Sequence, residues 1–202
     1  DVFVGPAVLL AFWALHERHM VLFAICFTVA CLIKWQPMIL APFLAVYVMD
    51  VRNFRWRNVL TWLAAIVPAL GTLALVVWLF NVTPVLAALQ YATSHDYLSG
   101  NALNLPWIMT HFLRVWDPAQ YGPLVDGQAE LIRTRAWEIR LVPKLLFAAC
   151  YLGLLAIFFL RRKSYRQMLL FCIAGYMGYY IFNTGVHENH LFLTVLLGML
   201  LC

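Results

Sequence analysis

Lys34 and Gln36 stand in the stretch CLIKWQPMILAPF, Cys31 to Phe43, between two apolar runs. A lysine at mid-bilayer costs about 2.5–3.5 kcal/mol on insertion scales, so a membrane protein pairs it, hydrates it or uses it. Near a helix end it can snorkel to the interface and lose most of that cost. Facing an anion about 4 Å away, at an effective dielectric near 20, it gains about 4 kcal/mol before desolvation. Two readings therefore stand side by side, a snorkelling lysine at a turn and a cation facing an anionic substrate group. Pro37 and Pro42 break the helix here and free carbonyls that need partners, as in backbone that lines a cavity.

The second stretch is GVHENH, Gly185 to His190. His187, Glu188 and His190 bring two imidazoles and a carboxylate together, groups suited to proton traffic and phosphate contact. A zinc site of the HExxH kind needs histidines four apart on one helix face. His187 and His190 do not have that spacing and no third ligand is evident, so no metal is expected. Capping and hydrogen bonding at an interface are the plain alternative to a ligand-orienting role. Arg114, Arg133, Arg135, Arg140 and Lys144 are mixed with Asp117, Asp126, Glu130 and Glu138, the pattern of a solvated surface. His95 and Asp96 are adjacent and could form an acid/base pair, with nothing in their position to support it.

The elements that hold these groups follow from composition. The chain has 202 residues, 64% hydrophobic and 11% charged, with mean hydropathy +0.82. A soluble domain is roughly half apolar and about a quarter charged, so the expectation is an all-α, polytopic transmembrane bundle. It starts at Asp1 without a Met and stops inside an apolar run, and is read as one transmembrane domain (1–202) from a longer protein. The five cysteines lie in apolar segments without metal or disulfide spacing and are expected to be buried small residues. The net charge of +5 invites a nucleic-acid reading, but basic residues in a membrane protein collect in cytoplasmic loops, and no nucleic acid is expected.

Apolar runs occupy Val2–Leu15, Met20–Ile33, Pro37–Met49, Val59–Phe80, Leu141–Leu160, Met168–Phe182 and Leu191–Cys202. Only two reach the roughly 20 residues of a full span unaided. Met20–Met49 as one helix would be about 45 Å long, too long without steep tilt. Charge favours a hairpin. Arg18, then Arg52, Arg55 and Arg57, then Arg161, Arg162, Lys163 and Arg166 fill three short loops, and one side can hold them all only if 20–49 crosses twice. Asp1, Lys34, the loop 81–140 and His187–His190 then share the non-cytoplasmic side. Within that loop, Leu105, Ile108, Met109, Phe112 and Trp116 form one helical face, with Thr110, His111 and Arg114 largely opposite and Asn104 as N-cap. Such a helix lies in the membrane interface.

Three motifs now carry a resemblance. IKWQPMILAPF is similar to the Lys/Gln run of endoplasmic-reticulum glucosyltransferases that use dolichyl-phosphate glucose, and to the Lys-x-Gln-Pro run of bacterial polyprenyl-phosphate-dependent mannosyltransferases. VHENHLF resembles their late His-Glu motif, and SGNALNLPWI their Asn-x-x-Asn-x-Trp loop. Taken in order, these resemble the GT-C superfamily of integral-membrane glycosyltransferases. The resemblance implies an active site on the periplasmic or lumenal face, a lipid-phosphate-sugar donor, inversion at the anomeric carbon and no further cofactor. Its motif positions are Lys34 and Gln36, Asn101, Asn104 and Trp107, and His187 and Glu188. Lys34 and His187 are implied as contacts of the donor phosphate, and the general base as lying upstream of residue 1. Trp35 and Pro37 are nearer the bacterial pattern, while Asn189 and His190 match neither version. The rival class is a multispan transporter or channel, which would place polar groups inside opposed spans and often repeat them in inverted topology.

Overall fold

The computed structural model describes residues 3–48, 56–93, 98–100, 102–124, 137–161 and 164–201. The described chain is all-helical. In order, α1 is Val4–His16, α2 Met20–Ile33, α3 Ala41–Val48, α4 Trp56–Phe80 and α5 Val82–Thr93. They are followed by α6 Leu105–Trp116, α7 Pro118–Tyr121, α8 Trp137–Leu160, α9 Tyr165–Phe182 and α10 Phe192–Met199. Short 3-10 turns cover Gln36–Leu40 and Glu188–Leu191. Among the described residues two stretches are long and apolar enough to cross a membrane, Asn58–Phe80 and Ile139–Leu160.

The 20–49 segment does break at Lys34. That residue caps α2 in an extended conformation (φ −152°, ψ 128°), after which Pro37 opens the 3-10 turn. Pro42 sits in the first turn of α3, where its missing N–H has no helical partner to lose. Phe23 and Phe27 of α2 line one apolar groove with Ala41, Leu44 and Val48 of α3 and Ile66 of α4. In a continuous helix Phe23 and Val48 would stand about 37 Å apart, so the chain reverses at the break.

The core lies where α1, α2, α3, α8, α9 and α10 meet. Phe43 of α3 is fully buried, lies edge-on to Tyr151 at 5.1 Å and fills the notch left by Gly175 on α9. The Tyr151 hydroxyl, on α8, donates to the Ile39 carbonyl in the 3-10 turn, so α8 holds the proline-broken segment in place. α4 packs on α2 and turns the rest of its surface outward, with Leu60, Val67, Leu70 and Trp78 exposed.

The elements also line up end to end. His16 stacks near Tyr165 (4.6 Å) and Tyr47 meets the same ring at 6.3 Å, so the ends of α1 and α3 meet the start of α9. The Tyr165 hydroxyl donates to the Phe12 carbonyl at 2.9 Å. At the other end of α9, Tyr179 meets Trp35, Phe147 and His190. From Tyr165 to Tyr179 is about 21 Å of helix. α8 does not stop at the level of Phe147 but continues back to Trp137, about 15 Å further.

Sequence and structure differ in the 81–140 segment. It opens with α5, separated from α4 only by Asn81 in the left-handed region (φ 65°). Asparagine tolerates that conformation better than most residues, which lets the chain turn sharply. The apolar content of Val82–Thr93 is interrupted by Thr83, Pro84 and Gln90, which hid the helix from a search for spans.

Candidate functional site

The break at Lys34 and the turn at His190 meet although they are far apart in sequence. The Gln36 amide lies 2.8 Å from Nε2 of His190, and both side chains are buried, at 3% and 8% exposure. Proline geometry is the cause on one side. The extended cap at Lys34 and the 3-10 turn after it redirect the chain, so Gln36 points inward rather than along a helix face. On the other side a 3-10 turn after Gly185 (φ 69°) folds His190 back over its own loop. A narrow cleft of about 10 Å³, room for roughly one water, opens beside the pair, lined by Val4, Lys34, Gln36, Tyr176, His190 and Phe192 among others.

Lys34 is half-buried there, and burial lowers the pKa of its ammonium below the ordinary lysine value. His190 is held from several directions. The His187 backbone N–H donates to its Nδ1 at 3.4 Å, the Tyr179 hydroxyl is 3.5 Å from the same atom, and the His187 ring stands edge-on at 5.7 Å. Among the described residues no carboxylate lines the cleft, and no three metal-ligating side chains come together.

A third segment docks against this pair. Gly100 N–H donates to the Val186 carbonyl at 2.9 Å and Gly185 N–H to the Leu98 carbonyl at 3.2 Å, with Gly100 and His187 paired as a short parallel bridge. A Cβ at Gly100 would come within 2.7 Å of both Nδ1 of His187 and the Val186 carbonyl oxygen. Only glycine allows that approach. Asn104 completes the join: its Oδ1 accepts from Trp107 N–H at 3.1 Å as the N-cap of α6, and its amide donates to the Tyr180 carbonyl at 3.0 Å. One side chain thereby starts a helix and ties it to α9.

The structure thus brings Lys34, Gln36 and His190 to one cleft and sets His187 and Asn104 behind it. Trp107 joins through its backbone. Asn101 and the Glu188 side chain lie outside the described residues, as do Asp1, His95 and Asp96. Tyr176, Tyr179 and Gly100 were not singled out in the sequence. The tyrosines of GYMGYY read there as span residues, whereas the Ser-Gly-Asn run around Gly100 carried a turn signal.

α6 has its expected bounds and turns its apolar face away from the bundle. Thr110 and Arg114 are buried, while Ile108, Phe112 and Trp116 are exposed, Trp116 at 90%. The Arg114 guanidinium donates to the Pro123 carbonyl at 2.7 Å. His111, expected on the polar side, is exposed beside Phe112.

Compared with known proteins, the chain matches no family model, no curated sequence and no solved structure.

Proposed function

We propose that this chain is the multi-pass membrane part of a glycosyltransferase that moves a hexose from a polyprenyl-phosphate donor to a lipid-linked or other acceptor. The membrane is the bacterial inner membrane or the endoplasmic reticulum, and the working face is the periplasmic or lumenal one. The observation that carries the reading is the meeting of residues 34–36, 98–100 and 187–190, with Asn104 tied to α9 beside them, at one end of an otherwise apolar bundle. These are the three segments on which the resemblance to GT-C enzymes rests.

In this reading the acceptor hydroxyl forms a bond to the anomeric carbon as the bond from that carbon to the phosphate oxygen breaks. The electron pair leaves with polyprenyl phosphate, and the hydroxyl proton passes to a carboxylate expected upstream of residue 1. Lys34 meets the charge that develops on the leaving phosphate, where one preorganised cation or donor contributes about 2.7–4 kcal/mol. His190 and His187 border the same region, and the exposed apolar face of α6 rests in the headgroup layer. A transporter would need polar groups inside opposed spans, whereas the described polar clusters lie at the bundle's ends.

The test is transfer from a radiolabelled polyprenyl-phosphate sugar by the full-length protein in proteoliposomes. Loss of transfer in Lys34→Ala with the protein still folded is the expected result. Unchanged transfer in both Lys34→Ala and His190→Ala removes the site, and solute uptake without transfer moves the protein to the transporter class.

A further inference from the structure

Proton bookkeeping around His190 leads to a role for Gln36 that its position alone does not reveal. The structure draws the Gln36 amide nitrogen toward Nε2 of His190 and leaves Oε1 buried with no partner in the protein. With that orientation Nε2 must accept, which puts the imidazole proton on Nδ1. The His187 backbone N–H already points at Nδ1 from 3.4 Å. Two N–H donors would then face each other in a buried site, and an amide oxygen would stay unsatisfied, each at a cost of the kind attached to buried unpaired polar groups.

Exchanging the amide oxygen and nitrogen, two atoms of nearly equal size, removes the clash of donors. Nε2–H of His190 donates to the Gln36 oxygen, and Nδ1 accepts from the His187 N–H and from the Tyr179 hydroxyl. The end of Gln36 that meets no donor is then an NH2 group, which calls for an acceptor. Lys34 lines the same cleft as a second donor group, and Tyr176 adds a hydroxyl that can also donate.

We infer that Gln36 is a positioning residue that holds His190 in the Nε2–H tautomer and presents its own buried NH2 group beside the cleft as a donor to a ligand oxyanion. The chemistry that fits is an acceptor-only group carrying negative charge, such as a phosphate monoester or diester. The ligand half of this inference rests on the lipid-phosphate reading above, and the tautomer half does not.

The tautomer is read by nitrogen NMR of the full-length protein, 15N-labelled at histidine and held in nanodiscs, with His190 assigned by its loss in His190→Asn. A pyrrole-type shift at Nε2 and a pyridine-type shift at Nδ1 are expected, and the reverse pattern overturns the assignment. Gln36→Glu keeps an acceptor in place and should keep Nε2 protonated, whereas Gln36→Leu should release the constraint. If Gln36→Leu does not fold, the wild-type and Gln36→Glu spectra still decide. Farnesyl phosphate, with farnesol as control, probes the ligand half in a second sample 15N-labelled at the glutamine side chains: the Gln36 NH2 resonances, assigned by their loss in Gln36→Glu, should move with the phosphate only. NH2 signals that ignore farnesyl phosphate overturn the donor role even when the tautomer is as inferred. Absence of sugar transfer would instead sink the functional reading and leave the tautomer result standing.

Discussion

The two ends of the bundle are built from the same elements and are chemically unlike. At the end where α1 and α3 meet the start of α9, the Tyr165 ring meets His16 at a tilt and Tyr47 edge-on, and the Tyr165 hydroxyl is used up by the Phe12 carbonyl. At the end marked by Lys34, a buried amide faces an imidazole, a cation lines a cleft and one polar atom of Gln36 lacks a partner. At the first end the Tyr165 hydroxyl is closed off by its carbonyl partner. Incomplete hydrogen bonding at the second leaves capacity for a ligand, because a buried polar group without a partner costs free energy until something supplies one. The contrast lies in which groups meet: rings and one hydroxyl-to-carbonyl bond at the first end, an amide, an imidazole and a cation at the second.

The sharpest way to break this comparison is to remove one cation from each end. Lys34→Ala should lower transfer by about 10²–10³-fold, whereas Arg18→Ala should leave it near wild type, measured as initial rates on equal amounts of folded protein. Equal losses would erase the distinction. Because burial lowers the Lys34 pKa, its charge disappears as pH rises through a value below the usual 10.5. Donor binding should therefore weaken at a lower alkaline pH than an exposed lysine would allow, and Lys34→Arg should move that loss upward.

A second substitution acts between the ends. In Gly175→Ala the new methyl overlaps the Phe43 ring, and overpacking of this kind costs about 1–3 kcal/mol. Thermal unfolding in detergent should show a lower Tm. Pairing it with Phe43→Leu should recover part of the loss, since the ring is what the methyl meets.

Gly100→Ala touches only the loop docked on the working end. Its Cβ must push away either the Val186 carbonyl or the His187 ring, so transfer should fall about 10-fold or more with little change in Tm. Faster hydrogen exchange at Gly100 and Gly185 would locate the effect. The smallest change is expected from Tyr165→Phe, which deletes one hydrogen bond at the closed end. It should cost about 0.5–1.5 kcal/mol and leave transfer unaltered.

Much of this was legible in the residues. The hairpin followed from charge placement and helix length, and α6 with its Asn104 cap followed from periodicity and capping chemistry. The meeting of Lys34 with His190 was foreshadowed by placing both on one side, but the atomic pair was not. Gln36 and His190 are separated by most of the chain, and no local pattern encodes which of two neighbouring histidines turns inward. That choice is made by the glycine at 185 and the docked loop. α5 escaped because a search for long apolar runs is blind to a short helix carrying Thr83, Pro84 and Gln90. Tyr176 and Tyr179 escaped because an aromatic residue in a span has the same appearance whether its hydroxyl is used or not.

The unequal helix lengths have a consequence for the bilayer itself. α1 and α2, with 13 and 14 residues, are each about 20 Å long, while α4 and α8, with 25 and 24, approach 36 Å or more. A hydrocarbon layer about 30 Å thick fits the long pair and overshoots the short one. In a bilayer, lipids beside α1 and α2 must shorten or tilt, drawing the headgroup plane down toward Lys34. Under the proposed function, such a dimple lets a donor phosphate approach Lys34 while its hydrocarbon tail never leaves the oil.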